Sequence, residues 1–214
     1  MKRALVFCNG NYSDIQSARR IFRTTDYIIC ADGGIKHSLA LNIIPHTVIG
    51  DFDSIPQKYK KTLACEKINW VKHTKEKDKT DSELALDFAA AKGFKTILLF
   101  GILGDRLDQI ISNVLSLIPF AKKGITITIV EGKQEIQIID KLVILKGETG
   151  DRLSLIPLVS DAQGITTFGL KYRLKDENLL FGYSRGISNV FTDQTVKISL
   201  KKGVLLAVHE RLSS

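Results

Sequence analysis

The chain passes from strand to turn to helix within residues 27–41, YIICADGGIKHSLAL. The run Tyr27–Ala31 has the length and apolar composition of a buried strand. Asp32-Gly33-Gly34 then favours a sharp turn, and the segment Gly34–Leu41 suits a helix. This stretch therefore predicts one strand–helix unit of the kind that builds a parallel sheet.

The same alternation continues through the first 130 residues. Because strand-length apolar runs are separated by helical patterns, we predict an α/β fold with a mainly parallel sheet and flanking helices on both faces. The predicted strands are Ala4–Cys8, Tyr27–Ala31, Thr47–Ile49, Asn69–Lys72, Thr96–Gly101 and Ile125–Val130, and the predicted helices are Asp14–Phe22, Gly34–Leu41, Asp81–Lys92 and Leu107–Lys122.

The pattern changes after Gly132, where no further helix is predicted. Short, often alternating apolar segments separated by Gly, Asp and Asn are typical of an all-β sandwich or barrel. We therefore predict an α/β domain at residues 1–131 and a C-terminal all-β sandwich domain at residues 132–214. The predicted strands of the second domain are Glu135–Ile139, Leu142–Leu145, Arg152–Pro157, Ile165–Leu170, Leu179–Phe181, Val196–Leu200 and Gly203–His209.

Composition narrows the class of protein and its compartment. The 214 residues are 44% apolar and 25% charged, as in folded proteins, and no apolar stretch approaches the ~20 residues of a membrane span. The net charge of +8 is spread as scattered lysines, which favours a solvated surface over nucleic-acid or membrane binding. No signal peptide is predicted, and Cys8, Cys30 and Cys65 lack zinc-site spacing, so we expect reduced thiols in a cytoplasmic protein.

One helix start is well marked. Thr80-Asp81-Ser82-Glu83 is a capping box, in which Thr80 and Glu83 satisfy each other's backbone N–H groups. Asp81 is thereby predicted at a helix N-terminus, where free N–H groups can meet phosphate.

Four acidic clusters follow predicted strands of the α/β domain. Because all strands of a parallel sheet end at one edge, we expect their carboxylates to converge there. Crowded carboxylates repel one another, and oxygen ligands without paired His or Cys favour Mg²⁺. The sequence therefore predicts a metal–phosphate site, with the clusters Asp32-Gly33-Gly34, Gly50-Asp51-Phe52-Asp53-Ser54, Asp78-Lys79-Thr80-Asp81 and the segment from Gly101 to Gln109.

The spacing within these clusters adds detail. In an extended segment, Asp51 and Asp53 would project to the same side while Phe52 points away. Arg106 could clamp phosphate oxygens or form a surface ion pair. Glycines let the backbone approach a bulky ligand, and those of the clusters include Gly33, Gly34, Gly101 and Gly104.

Several common enzyme motifs are absent from the sequence. It contains no Gly-x-x-x-x-Gly-Lys-Ser/Thr loop and no Gly-x-Gly-x-x-Gly after a strand, which disfavours P-loop ATPases and dinucleotide oxidoreductases. It also lacks a Gly-x-Ser-x-Gly elbow, and its four His lie outside the acidic clusters, which disfavours a Ser-His-Asp hydrolase.

The ordered set of clusters resembles the thiamine pyrophosphokinase family, whose members transfer a diphosphate from ATP to thiamine. The set spans most of the chain and also includes a pair in the β-rich half. The residues that carry the resemblance are Ala31-Asp32-Gly33-Gly34, Gly50–Ser54, Thr80-Asp81 with Glu83-Leu84-Ala85-Leu86, Gly101-x-x-Gly104-x-Arg106-x-Asp108, and Ser188-Asn189.

The resemblance implies a fold, a reaction and partners. An ATP- and magnesium-binding catalytic domain is expected at 1–131 and a thiamine-binding domain at 132–214. ATP and thiamine would react, with Mg²⁺ as cofactor, to give thiamine diphosphate and AMP. Homodimers are implied, with thiamine held between the α/β domain of one subunit and the β domain of the other.

The resemblance also implies roles for single residues. Mg²⁺ would be held by Asp51, Asp53 and Asp81, with Asp32 and Asp108 in catalytic support. Independently of the resemblance, a carboxylate could accept the hydroxyl proton, and Asp81 and Asp108 are the candidates. Two further groups would bind the substrates: Gly33, Gly34, Thr80, Gly101, Gly104 and Arg106 for the ATP phosphates, and Ser188 and Asn189 for thiamine.

Some residues depart from the family pattern, and two alternatives stay open. Gln109 stands where many members have His, and Ser188-Asn189 alone would predict only a hairpin turn. The strand before Asp51-Phe52-Asp53 also fits a magnesium-dependent phosphohydrolase with Asp51 as nucleophile. The other alternative is a non-catalytic regulator that binds thiamine or nucleotide.

Overall fold

The structure, a computed structural model, describes residues 2–12, 14–64, 66–74 and 78–212. The chain divides into two compact units, Met1–Ser116 with Gly124–Gly132 and Leu117–Lys123 with Lys133–Ser214. Cys8 and Cys30 are free, buried thiols, whereas Cys65 lies outside the described residues.

The first unit contains a six-stranded parallel sheet. Its strands lie in the order β6-β5-β1-β2-β3-β4, and each described pairing between neighbours is parallel. The predicted mainly parallel sheet is thus confirmed. The strands are β1 (Arg3–Phe7), β2 (Tyr27–Ala31), β3 (Thr47–Gly50), β4 (Asn69–Lys72), β5 (Thr96–Phe100) and β6 (Thr126–Glu131).

Helices cover both faces of this sheet. Leu5 and Phe7 belong to the core on one face, with residues of α1 and α2, while α4 packs on β1, β2 and β3 through Ala85 and Leu86. Side chains alternate along a strand, so the sheet is buried on both sides. The helices are α1 (Ile15–Ile21), α2 (Ile35–Ala40), α3 (Gln57–Thr62), α4 (Asp81–Ala91), α5 (Leu107–Leu115) and, in the second unit, α6 (Ile118–Lys122).

Two helix predictions differ from the structure. The single helix predicted over Leu107–Lys122 is two helices, because Pro119 cannot donate the N–H that a continuing helix needs. Helix α3, Gln57–Thr62, was not predicted, and none of its residues is buried. No helix in the described ranges is long and apolar enough to span a membrane.

The second unit is an antiparallel β-sandwich, as predicted. Its strands form the orders β12-β9-β14-β7 and β11-β10-β13-β8, and Leu155, Ile165 and Ile198 from these sheets share one core. The strands are β7 (Gln134–Ile139), β8 (Leu142–Lys146), β9 (Arg152–Pro157), β10 (Ala162–Phe168), β11 (Glu177–Leu179), β12 (Asn189–Val190), β13 (Thr195–Ser199) and β14 (Leu205–Glu210). The short strand β12 was not among the predicted ones.

Candidate active site

A cleft of about 230 Å³ lies at the C-terminal edge of the parallel sheet. Segments that follow the adjacent strands β5, β1 and β2 form part of it, and the N-terminal turns of α4 and α5 complete it. Among the predicted site residues, Asp32, Thr80, Asp81, Gly101 and Gly104 line this cleft. The expected convergence at the sheet edge is therefore observed for the clusters that contain Asp32, Thr80-Asp81 and Gly101 with Gly104.

Asp32 is the most unusual side chain in the cleft. It directly follows β2, is only 7% exposed, and has a φ of +43°, a conformation that non-glycine residues rarely adopt. Its Oδ2 accepts a hydrogen bond from Ser54 Oγ, whereas its Oδ1 is buried and has no hydrogen-bond partner in the described part of the chain. A buried, unpaired carboxylate oxygen in a strained residue is typical of a binding site.

Asp81 is placed in the cleft by the predicted capping box, which is confirmed. Thr80 Oγ1 accepts from the Glu83 N–H at 3.2 Å, and the Glu83 carboxylate accepts from the Thr80 N–H at 2.8 Å. The Thr80 hydroxyl is therefore occupied within the cap. Burial raises the pKa of the Cys8 thiol well above its usual range, and the electrostatic interactions with Cys30 and with Asp81 add to this shift.

The backbone after β1 and the backbone after β5 are in direct contact at the cleft. Gly10 N donates to Gly101 O at 2.8 Å, and Gly101 has a φ of +63°. A Cβ at Gly10 would lie 2.5 Å from that carbonyl oxygen. Both positions therefore need glycine for a close main-chain approach.

The loop after β1 is anchored by two side chains of α2. His37 Nε2 donates to Gly10 O at 2.9 Å, and Lys36 Nζ donates to Asn9 O at 2.7 Å. Burial lowers the pKa of His37, which favours the neutral ring at neutral pH. Asn9 and Gly10 line the cleft but were not predicted as site residues. Their place directly after the first strand was the available signal.

The turn that carries Asp51 and Asp53 lies beside the cleft and does not line it. The prediction of an extended segment is wrong here, because Phe52 has a φ of +66°. Asp51 Oδ1 accepts from the Asp53 N–H at 3.0 Å, which closes a tight turn. Phe52 does point away, packing against the core and edge-to-face on Trp70.

Arg106 and Asp108 bind each other outside the cleft. Arg106 Nη2 lies 2.6 Å from Asp108 Oδ2, and the two side chains are 67% and 66% exposed. The Arg106 hydrogen bond lowers the pKa of the Asp108 carboxyl. Neither residue lines the cleft, whereas the next residue, Gln109, does.

Gly33 and Gly34 form a short 3₁₀ turn together with Asp32. Both are buried, and neither lines the cleft. A Cβ at Gly34 would collide with the Phe7 carbonyl oxygen, and one at Gly33 with the Asn9 side chain. These two glycines let the turn pack against the end of β1.

The predicted thiamine residues lie in the second unit. Ser188 has a φ of +58°, and its N–H donates to Ser154 Oγ at 3.1 Å. The Asn189 amide accepts from the Tyr172 N–H at 3.0 Å and donates to Tyr172 O at 2.7 Å. The Asn189 side chain is thus held by the backbone of a neighbouring loop.

The carboxylates at the cleft suit a magnesium ion that takes some of its ligands from the protein and the others from a substrate. Among the described residues, no three His, Cys, Asp or Glu side chains are grouped to hold a metal alone. Mg²⁺ usually takes one or two protein carboxylates, with waters and substrate phosphates as its other ligands. The unpartnered Asp32 Oδ1, with Asp81 in the same cleft, fits this chemistry.

Both units of the chain match family models of known proteins. Residues 18–129 match the family model for the thiamin pyrophosphokinase catalytic domain, and residues 140–205 match that for the thiamin pyrophosphokinase vitamin B1 binding domain. Thiamine pyrophosphokinase of Bacillus subtilis (strain 168) is 33% identical over 182 residues, which cover 84% of this chain and 85% of that relative.

Solved structures of such enzymes have the same fold. The crystal structure of thiamine pyrophosphokinase from Bacillus subtilis has a TM-score of 0.87 at 26% identity and covers 99% of this chain and 100% of that one. The structure from Geobacillus thermodenitrificans has a TM-score of 0.84 at 26% identity and covers 100% of this chain and 99% of that one. The predicted resemblance and enzyme class are confirmed, and the chain belongs to the thiamine pyrophosphokinase family.

Proposed function

We propose that the cleft binds ATP and Mg²⁺ and transfers the β,γ-diphosphate of ATP to the hydroxyl of thiamine, giving thiamine diphosphate and AMP. The observation that carries this proposal is the meeting of Asp32, Asp81 and the glycine-rich turn after β5 in one cleft at the sheet edge. Nucleotides bind at this edge in open α/β folds. We assign ATP binding to residues 1–131 and thiamine binding to residues 132–214.

The phosphates of ATP and the metal would share the acidic edge. We propose Asp51, Asp53 and Asp81 as magnesium ligands, with Asp32 beside them. When bound, Mg²⁺ neutralises charge that spreads over the phosphate oxygens during transfer. Gly101 and Gly104, in the turn after β5, line the cleft and would contact the phosphates through their backbone, with Thr80 at the start of α4 beside them. Gly33, Gly34 and Arg106 would assist ATP binding from positions outside the cleft lining.

The transfer joins one bond and breaks another. The primary hydroxyl oxygen of thiamine attacks the β-phosphorus, the bond from that phosphorus to the oxygen bridging to the α-phosphorus breaks, and AMP leaves. The hydroxyl proton needs an acceptor, for which we proposed Asp81 or Asp108. Asp81 is the better placed, because it lines the cleft while Asp108 is paired with Arg106.

Thiamine would be bound by Ser188 and Asn189 at a homodimer interface. Exposed apolar side chains support association of two subunits. Leu107, Ile111 and Leu115 recur every four residues on α5 and are 69%, 50% and 41% exposed. Such a stripe on a helix is typical of a covered face.

The compartment is the last part of the proposal. Cys8 and Cys30 are free and buried, which supports a reducing environment such as the cytoplasm.

The test is an assay of the purified protein with Mg²⁺, ATP and thiamine that resolves AMP, ADP, phosphate and thiamine diphosphate. We expect AMP and thiamine diphosphate in a one-to-one ratio, and Asp51→Asn should lower their formation roughly 10²-fold because a charge at the metal–phosphate site is lost. Asp140→Asn, at an aspartate after β7, is the matched control and should act as wild type.

Other products would contradict the proposal in distinct ways. Thiamine-independent phosphate release would indicate a phosphohydrolase. ADP with thiamine monophosphate would indicate transfer of a single phosphoryl group. Thiamine binding without turnover would indicate a regulator.

A further inference from the structure

We propose that Ser54 is a positioning residue, which fixes the Asp32 carboxylate so that Oδ1 faces the metal and phosphates. The inference rests on the proposed function and concerns a residue outside the cleft lining. Ser54 Oγ donates to Asp32 Oδ2, while Asp32 Oδ1 is buried without a partner. Oδ2 is therefore occupied by the serine hydroxyl, and Oδ1 is the oxygen that remains for a ligand.

The Asp32 backbone is confined on the side of β3. A Cβ at Gly50, the last residue of β3, would lie 2.9 Å from Asp32 Cβ, so the two chain segments are in close contact. Asp32 also holds a φ of +43°. The side chain therefore leaves a confined backbone, and its remaining freedom is rotation about χ1 and χ2. The Ser54 hydrogen bond opposes that rotation.

Ser54 is itself held by a well-tied turn. Asp51 Oδ1 accepts from the Asp53 N–H at 3.0 Å, and Lys60 Nζ donates to Phe52 O at 2.8 Å. The Phe52 ring packs edge-to-face on Trp70, with ring centroids 5.2 Å apart. The hydroxyl therefore projects from a braced segment, and it ties the Asp51–Asp53 turn to the carboxylate at the end of β2.

This bond has a predictable consequence for metal binding. Hydrogen-bond partners that orient the carboxylates of a metal site typically contribute 10-fold to 100-fold to metal affinity or activity. Without the hydroxyl, the Asp32 carboxylate could rotate, and its oxygens would point partly to the cleft and partly to the position that the Ser54 hydroxyl occupies in wild type. The net charge of the site would stay the same, and only the orientation of the carboxylate would become less fixed.

The test compares Ser54→Ala with Ser54→Thr in the full chain. Binding of Mn²⁺, a spin probe for the magnesium site, is followed by electron paramagnetic resonance in the presence of α,β-methylene-ATP, which cannot release AMP. We expect Ser54→Ala to weaken Mn²⁺ binding about tenfold and Ser54→Thr to bind as wild type, because threonine keeps the hydroxyl. Ser160→Ala, at an exposed serine of the second unit, is the control and should also match wild type.

Each outcome decides the proposal. Equal Mn²⁺ affinity in wild type and Ser54→Ala would overturn it, as would weakening of Ser54→Thr to the level of Ser54→Ala or a wild type that binds no Mn²⁺. The product assay separates this failure from that of the proposed function. A wild type that makes thiamine diphosphate while Ser54→Ala binds Mn²⁺ normally would refute only the role of Ser54.

Discussion

Exchange of Asp32 for asparagine should lower formation of AMP and thiamine diphosphate roughly 10³-fold and leave the protein at least as stable as before. The side chain keeps its size but loses the negative charge beside the proposed metal and phosphates. Its Oδ1 has no hydrogen-bond partner among the described residues, so no hydrogen bond that stabilises the structure is lost there. An amide is also less costly to bury than an unpaired carboxylate.

The opposite end of the same strand provides the matched control. Asp26 directly precedes β2 and is 3% exposed, but it accepts from Arg3 Nε at 2.8 Å, from Arg3 Nη2 at 2.6 Å and from the Arg23 N–H at 2.7 Å. Asp26→Asn should therefore lower the free energy of unfolding by roughly 3 kcal/mol, because it breaks a buried ion pair. The folded fraction should retain its turnover number.

Urea unfolding without Mg²⁺, followed by the fluorescence of Trp70, gives the stability of both variants. Mg²⁺ must be absent because a ligand that binds only the folded wild type would add to its stability. For Asp32→Asn we expect a free energy of unfolding equal to that of wild type or up to about 1 kcal/mol higher. A clear loss of stability, or turnover within tenfold of wild type, would show that Asp32 serves the fold and not the reaction.

Asp151→Asn should produce the largest loss of stability, roughly 3–5 kcal/mol at neutral pH. Asp151 is 2% exposed in the second unit and accepts three hydrogen bonds, from the Glu148 N–H and the Leu212 N–H at 3.0 Å each and from His209 Nε2 at 2.9 Å. His209 is 1% exposed and stacks on Phe191. An amide NH₂ in place of one carboxylate oxygen would face N–H donors that it cannot accept from.

The pH dependence of this effect has a definite sign. Burial alone raises the pKa of Asp151, but the hydrogen bonds from Glu148, Leu212 and His209 outweigh it, and the net pKa is lowered. A carboxyl whose pKa is lower in the folded state stabilises the fold above its ordinary value near 4 and loses that contribution as the pH falls through the folded value. The difference between wild type and Asp151→Asn should therefore shrink below about pH 4.

Urea unfolding followed by far-ultraviolet circular dichroism at pH 7 and at pH 3 measures both effects. Asp161→Asn is the matched control, since this exposed aspartate accepts from the Phe181 N–H at 2.8 Å and should cost about 1 kcal/mol or less. A loss below 1 kcal/mol for Asp151→Asn at pH 7, or a difference that grows toward pH 3, would contradict the proposed role of the Asp151 carboxylate.

The parts of the fold that were predictable are those that bury apolar runs. Tyr27–Ala31 and Arg152–Pro157 were predicted with the observed bounds, because apolar or alternating runs of this length are typical of buried strands. Helix α3 leaves no residue buried, so it carries no apolar period to find. Strand β12 is two residues long, which is below what a pattern can indicate.

The candidate site was predictable where position along the chain suffices. Asp32 and Asp81 follow from the rule that parallel strands end at one edge and from the capping box. The extended conformation predicted for Asp51-Phe52-Asp53 was wrong because a left-handed φ at a non-glycine residue depends on packing, here that of Phe52 on the core and Trp70. The pairing of Arg106 with Asp108 depends on side-chain rotamers. The sequence alone therefore left two interpretations of Arg106, a clamp on phosphate oxygens and a surface ion pair.

The close main-chain contact between Gly10 and Gly101 also limits how the gene can vary. Every missense change of one nucleotide in a glycine codon introduces a residue with a Cβ, and here that carbon meets main chain: at Gly10 it would lie 2.5 Å from Gly101 O, and at Gly101 2.8 Å from Cys8 O. Neither neighbour can swing aside as a side chain would. Tolerated alleles at these two codons should therefore be synonymous, whichever substrate the cleft accepts.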